Sequence, residues 1–68
     1  MDIKTLGERM RGARGKRTRR EVAAVVGCTE RTIARWEAGE GAPPVDDLAR
    51  YAKAIGLTSI VPLVRGLS

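Results

Sequence analysis

The sequence predicts an all-α fold: one domain built as a compact bundle of four to five short helices, closed by a short apolar C-terminal segment. Three observations carry this expectation. Apolar residues recur three and four apart in four separate stretches, the period of a helix with one face turned inward. Capping residues or prolines open these stretches and glycines close them. With 68 residues there is room for one domain and no second, and a chain of this size buries only about 60% of its unfolded surface.

The first helix is read from Ile3, Leu6, Met10 and Ala13, a single stripe at spacings of three, four and three. It begins at Thr5, where Thr5 and Glu8 form a Thr-x-x-Glu pair, or a turn earlier at Asp2; the sequence leaves both starts open. Gly7 and Gly12 each weaken it by about 1 kcal/mol relative to Ala, so its order must come from packing. Gly15 ends it, and Lys16 and Arg17 make a tight link onward.

The central stretch, Thr18 to Gly39, reads as two short helices joined at Gly27 and Cys28. Thr18 and Glu21 form a second capping box, Val22, Ala23 and Val26 make one apolar face, and Gly27 supplies the left-handed exit. Thr29 caps the next helix, Ile33 and Trp36 are its inward positions, and Gly39 is its stop. So short a turn forces the two helices to pack across each other. Glu30, Arg31, Thr32, Ala34 and Arg35 are then left facing outward, a polar set able to read hydrogen-bonding edges.

Glu40-Gly41-Ala42-Pro43-Pro44 is a loop whose prolines forbid helix before them and favour it just after. A fourth helix is expected at about residues 45 to 55. Leu48, Ala52 and Ile55 form its stripe with Ala49 and Tyr51 alongside, Asp46 and Asp47 suit its dipole, and Gly56 stops it. The tail, residues 57 to 68, is too apolar for a solvated end. Pro62 rules out a long helix there, leaving a helical turn or an extended segment that covers the core or meets a second subunit.

The formal charge of +5 suits a polyanionic partner, and its distribution is concentrated. Arg9, Arg11, Arg14, Lys16, Arg17, Arg19 and Arg20 fall in one run without a carboxylate. Histidine is absent and Cys28 is the lone cysteine, so there is no Ser-His or Cys-His pair, no disulfide and no cysteine cluster for zinc. Neither catalysis nor a metal, cofactor or small-molecule substrate is expected. No apolar run approaches the roughly 20 residues that span a bilayer, and a cytoplasmic location follows as the expectation.

Several residues, in register, carry a family resemblance. Leu6-Gly7-Glu8-Arg9-Met10-Arg11, the run from Thr18 through Glu21, Ala23, Gly27, Thr29, Thr32 and Ile33 to Trp36-Glu37-x-Gly39, and then Pro43 resemble the Cro and phage-repressor class of helix-turn-helix proteins over about residues 3 to 56. That resemblance implies a lambda-repressor-like bundle in which residues 29 to 38 form a recognition helix in the major groove of double-stranded DNA. Position by position, it implies that Thr29, Glu30, Arg31 and Arg35 touch bases or adjacent phosphates, with Thr32 close by. It places Arg19 where the family usually has a phosphate-contacting Gln, and it implies an Arg14–Glu37 salt bridge between helices. In two respects the chain departs from the family: the link between the first two helices is about two residues shorter, and the loop after Gly39 is acidic rather than basic.

Beside these implications stand the residues' own chemistries. Arg31 and Arg35 lie four apart on one face, and bidentate Arg to guanine is the commonest specific base contact, the bland reading being an intrahelical pair with Glu30 or Glu37. Glu30 either accepts from cytosine N4, repels phosphate to sharpen choice, or orients Arg31. Lys16, Arg17, Arg19 and Arg20 are the phosphate candidates, since they sit nearest the entrance of the second helix, whereas Arg9 and Arg11 steer association. Trp36 is read as core, and Cys28 as a buried small hydrophobe rather than a redox switch. The expected function is a sequence-specific DNA-binding regulator, a Cro-type repressor acting as a homodimer on an operator, with Ile60, Val61, Leu63 and Val64 either as the subunit contact or as the completion of a monomer's core. The alternative is an antitoxin-like or adaptor module whose apolar tail binds a protein partner.

Overall fold

The computed structural model describes residues 2–67. Five helices follow in order: α1 (Ile3–Arg14), α2 (Arg19–Val26), α3 (Glu30–Glu37), α4 (Val45–Ala54) and α5 (Val61–Val64). No strand occurs among the described residues. Asp2 decides the start of α1, its carboxylate accepting from the backbone N–H groups of Lys4 and Thr5 at 3.1 and 3.2 Å. Thr5 is therefore inside the helix and donates its own hydroxyl to Asp2 at 2.7 Å.

A threonine caps each of the two central helices, and of the Thr18–Glu21 box only the threonine half is formed among the described residues. Thr18 Oγ1 accepts from the Glu21 N–H at 3.1 Å, and Thr29 Oγ1 accepts from the Thr32 N–H at 3.2 Å. Gly27 takes the left-handed conformation with φ of 88°, which a β-carbon would oppose, and so lets the chain turn from α2 into α3. Pro44 precedes α4 without a side-chain cap, so the loop's rigidity and the first-turn carboxylates of Asp46 and Asp47 open that helix instead.

Packing places α1 against α3 and α5, and α2 against α3 and α4. Leu6, Met10, Val22, Ala23, Val26, Ile33, Trp36, Leu48, Tyr51, Ala52, Ile55 and Leu63 form one core, to which every helix contributes. Gly7 is what allows α1 to reach α3: a β-carbon there would stand 2.5 Å from the Trp36 carbonyl oxygen and 2.6 Å from that of Glu37. A residue that weakens the isolated helix thus permits the contact that stabilises it.

Two inward assignments need correction. Ala13 is exposed, because in the last turn of α1 the side chain that turns inward is Arg14. Ala49 is likewise exposed, whereas Tyr51 is fully buried and belongs to the core. The tail resolves into the short helix α5, with Pro62 in the first turn where a missing N–H costs nothing. Leu63 is buried in the chain's own core, while Val61 is 54% exposed and Ile60 and Val64 are half-buried. An open groove of about 460 Å³, lined by Ala49, Lys53, Leu57, Thr58, Ser59 and Ile60, runs between α4 and the segment leading to α5.

Candidate nucleic-acid interface

Helix α3 presents two unlike faces. Ile33, Trp36 and Glu37 point inward and are buried, whereas Glu30, Arg31 and Arg35 are exposed and Thr32 and Ala34 half-buried. At its N-terminus the hydroxyls of Thr29 and Thr32 lie 3.0 Å apart, so both threonines join polar side chain to helix cap. Arg31 and Arg35 have no carboxylate within ion-pairing distance among the described residues. The intrahelical pairing with Glu30 or Glu37 is not formed, because Glu37 is turned into the core and the cation beside Glu30 is Arg20, at 3.9 Å.

The inward side of this helix is held by an uncommon buried group. The Glu37 carboxylate is 1% exposed and accepts from Arg14 through two nitrogens, Nε at 2.8 Å and Nη2 at 3.1 Å. Arg19 Nε donates to the same carboxylate at 3.3 Å. The Tyr51 hydroxyl stands 2.7 Å from Glu37 Oε2 and 2.9 Å from the Met10 carbonyl. It has one proton for two acceptors, and the shorter distance and the negative charge assign that proton to Glu37. Burial alone raises the pKa of the Glu37 carboxyl, but the hydrogen bonds from Arg14 and Tyr51, the Arg14 charge and the Arg19 hydrogen bond together hold it below its ordinary value of 4.5. Burial and the neighbouring Glu37 push the Tyr51 phenol up, and the Glu37 hydrogen bond raises Arg14. Glu37 is therefore ionised at neutral pH and ties α1, α2, α3 and α4 together behind the exposed face of α3.

The phosphate candidates do not form one uniform patch. Lys16 is exposed with no carboxylate partner among the described residues. Arg17 is exposed as well, but its Nη2 lies beside Gly56, 3.4 Å from where a β-carbon there would stand, toward the end of α4. Arg19 and Arg20, at the start of α2, are each shared with a carboxylate of α3. Arg9, assigned to steering by its sequence neighbours, donates to the Leu63 carbonyl at 3.5 Å and to that of Arg65, and so fastens α5 to α1. Nothing in the local sequence signals that role, since its partners lie more than fifty residues away. Arg14 does form the interhelical pair that the resemblance implies, the shorter link notwithstanding; its Nη1 also donates to the Arg17 carbonyl at 2.7 Å and braces that link. Cys28 is half-buried, and burial pushes its thiol up, which keeps it a small apolar group rather than a reactive thiolate.

A helix-turn-helix family model matches residues 8–63. The chain belongs to the helix-turn-helix family of the Cro and phage-repressor type. Among solved structures it is similar to the P22 c2 repressor, crystallised in complex with the synthetic operator 9T, with 30% identity and a TM-score of 0.80 over 90% of this chain and 94% of that one. It shares the fold of the restriction-modification controller protein C.AhdI from Aeromonas hydrophila, with 19% identity, a TM-score of 0.84 and coverage of 91% and 96%. The same helix-turn-helix fold also forms part of a longer chain: HppE is matched at 30% identity and a TM-score of 0.80 over 93% of this chain but 36% of its own. No curated protein sequence matches this one closely enough to count as a relative.

Proposed function

We propose that this protein is a sequence-specific double-stranded DNA-binding transcriptional regulator, a repressor of the Cro type, that lays α3 in the major groove of an operator. The observation that carries this reading is the outer face of α3. Arg31 and Arg35 are exposed, four residues apart and without a carboxylate partner among the described residues, on a helix whose opposite face is locked into the core. A rigid helix with unneutralised guanidinium groups on its open side fits bidentate readout of guanine edges. Thr29, Thr32 and Glu30 complete the base-proximal set, while Lys16, Arg17, Arg19 and Arg20 supply phosphate contacts.

The whole chain serves as one DNA-binding domain, with residues 18 to 39 as its recognition unit and no catalytic step. One copy reads few base pairs. The functional unit is therefore a homodimer on a near-palindromic operator with half-sites about 34 Å apart, and a DNA partner fits the bacterial cytoplasm as its location. With Leu63 taken up by the core, Val61 and the partly open Ile60 and Val64 are the tail residues that remain for the subunit contact. The reading is tested by titrating duplex DNA of random sequence at several salt concentrations. Association should weaken linearly in log–log form as salt rises, and Lys16→Ala should flatten the slope by about one unit. Binding that ignores salt, or no binding at low salt, overturns it and leaves the antitoxin-like or adaptor module, whose tail would then be expected to capture a protein.

A further inference from the structure

Arg19 is placed differently from the other cations at the start of α2. Its Nε is held at 3.3 Å by the buried Glu37 carboxylate, yet the side chain remains 44% exposed. A guanidinium has five N–H donors in a rigid plane, of which Nε supplies one and the two terminal nitrogens four. With Nε turned inward to Glu37, the terminal pair is left on the open side, in the fork that matches two oxygens of a phosphate. Glu37 itself cannot follow the DNA or relax toward it, because Arg14 grips it through two nitrogens and Tyr51 stands 2.7 Å away.

We infer that buried Glu37 is a positioning residue for the DNA backbone contact, aiming the terminal nitrogens of Arg19 at one phosphate beside the recognition helix. This inference rests on the DNA-binding reading above and adds to it a defined geometry. Arg19 is then a two-sided bridge, one edge on a buried carboxylate and the other on a phosphate, and its side-chain entropy is already spent before DNA arrives. A lysine ammonium has three donors but no rigid plane, so it cannot hold one edge on Glu37 while presenting a paired fork to the phosphate.

The test compares Arg19→Lys, Arg19→Gln and Glu37→Gln with the unaltered protein on the same random-sequence duplex, with thermal melts confirming that each variant is folded. Arg19→Gln should lower the salt slope by about 0.9, the value for one lost phosphate contact, and weaken all sequences alike. Arg19→Lys, which keeps the charge, should bind about tenfold more weakly with its slope retained. Glu37→Gln should weaken binding by a similar factor, and should add no further loss when combined with Arg19→Gln. Arg19→Lys binding within twofold of the unaltered protein would overturn the inference, since charge alone would then suffice, and this variant can overturn it even if Glu37→Gln does not fold. Additive losses from Glu37→Gln and Arg19→Gln would overturn it as well. Failure of the unaltered protein to bind any duplex would instead remove the DNA-binding reading, and it would be seen before any variant is compared.

Discussion

At the scale of single residues, Gly7 sets how near α1 and α3 come. A β-carbon at Gly7 would meet two backbone oxygens of α3, which cannot swing aside, whereas one at Gly12 would meet nothing within 4 Å. Gly12→Ala should therefore stabilise the protein by about 0.5–1 kcal/mol through helix propensity, while Gly7→Ala should destabilise it by about 2 kcal/mol despite the same gain. Denaturant unfolding of the two variants checks this, and equal stabilisation would refute the close packing. Sequence reading treats both glycines alike, as weak points of one helix, because what separates them is a neighbour from another helix. Glu37 gives a second residue-scale expectation. Its folded-state pKa lies below the ordinary 4.5, so the unfolded chain binds the proton more readily; the stability it contributes is present above that range and lost as pH falls through the lowered value. The melting temperature should hold steady above about pH 5 and fall below about pH 4, and Glu37→Gln should flatten that acid limb. Because the substitution leaves Arg14 in the interior without its charge partner, it should also cost about 3 kcal/mol at neutral pH.

At the scale of elements, the four longer helices were legible because their ends are written in side chains. Thr18 and Thr29 cap, Gly15, Gly27, Gly39 and Gly56 terminate, and Pro43 and Pro44 fix where α4 can begin. Only the start of α1 stayed ambiguous, since Asp2 and Thr5 are both good caps and only the hydrogen bonds to the Lys4 and Thr5 N–H groups choose between them. The tail was less legible. Its apolar residues allow a turn or an extended run, and what selects α5 is docking on α1, with Leu63 inserted into the core and Arg9 on the carbonyls of Leu63 and Arg65. Arg9→Ala should loosen that end selectively. Amide exchange at residues 63 to 67 should quicken while the α2–α3 pair keeps its protection, at a cost of about 1 kcal/mol in global stability. Uniform loss of protection would mean that α5 is integral to the whole fold rather than a clasp on α1.

At the scale of the whole molecule, a run of like charges in sequence has become several different things in space. From one unbroken set of cations, Arg9 clasps the tail, Arg14 is drawn inside, and Arg19 and Arg20 lean on carboxylates of α3. Charge counting could not foresee this, because the partners, carboxylates of α3 and backbone carbonyls of the tail, lie beyond the run. Among the described residues the cations without a carboxylate partner are correspondingly fewer than the sequence suggests, and they include Lys16 just before α2 and Arg31 and Arg35 on the outer face of α3. Subunit pairing belongs to this scale too. Sedimentation should show an association that strengthens with concentration and is complete on DNA, whereas a monomer at high micromolar concentration, free and DNA-bound, would contradict the dimer. The central claim is that the outer face of α3 reads sequence, and selection of bound duplexes from a random pool, run in parallel for the unaltered protein and Arg31→Ala, tests it most directly. The unaltered protein should enrich two inverted half-sites about one helical turn apart, with the variant losing preference at one position in each; an identical consensus from both would contradict the claim.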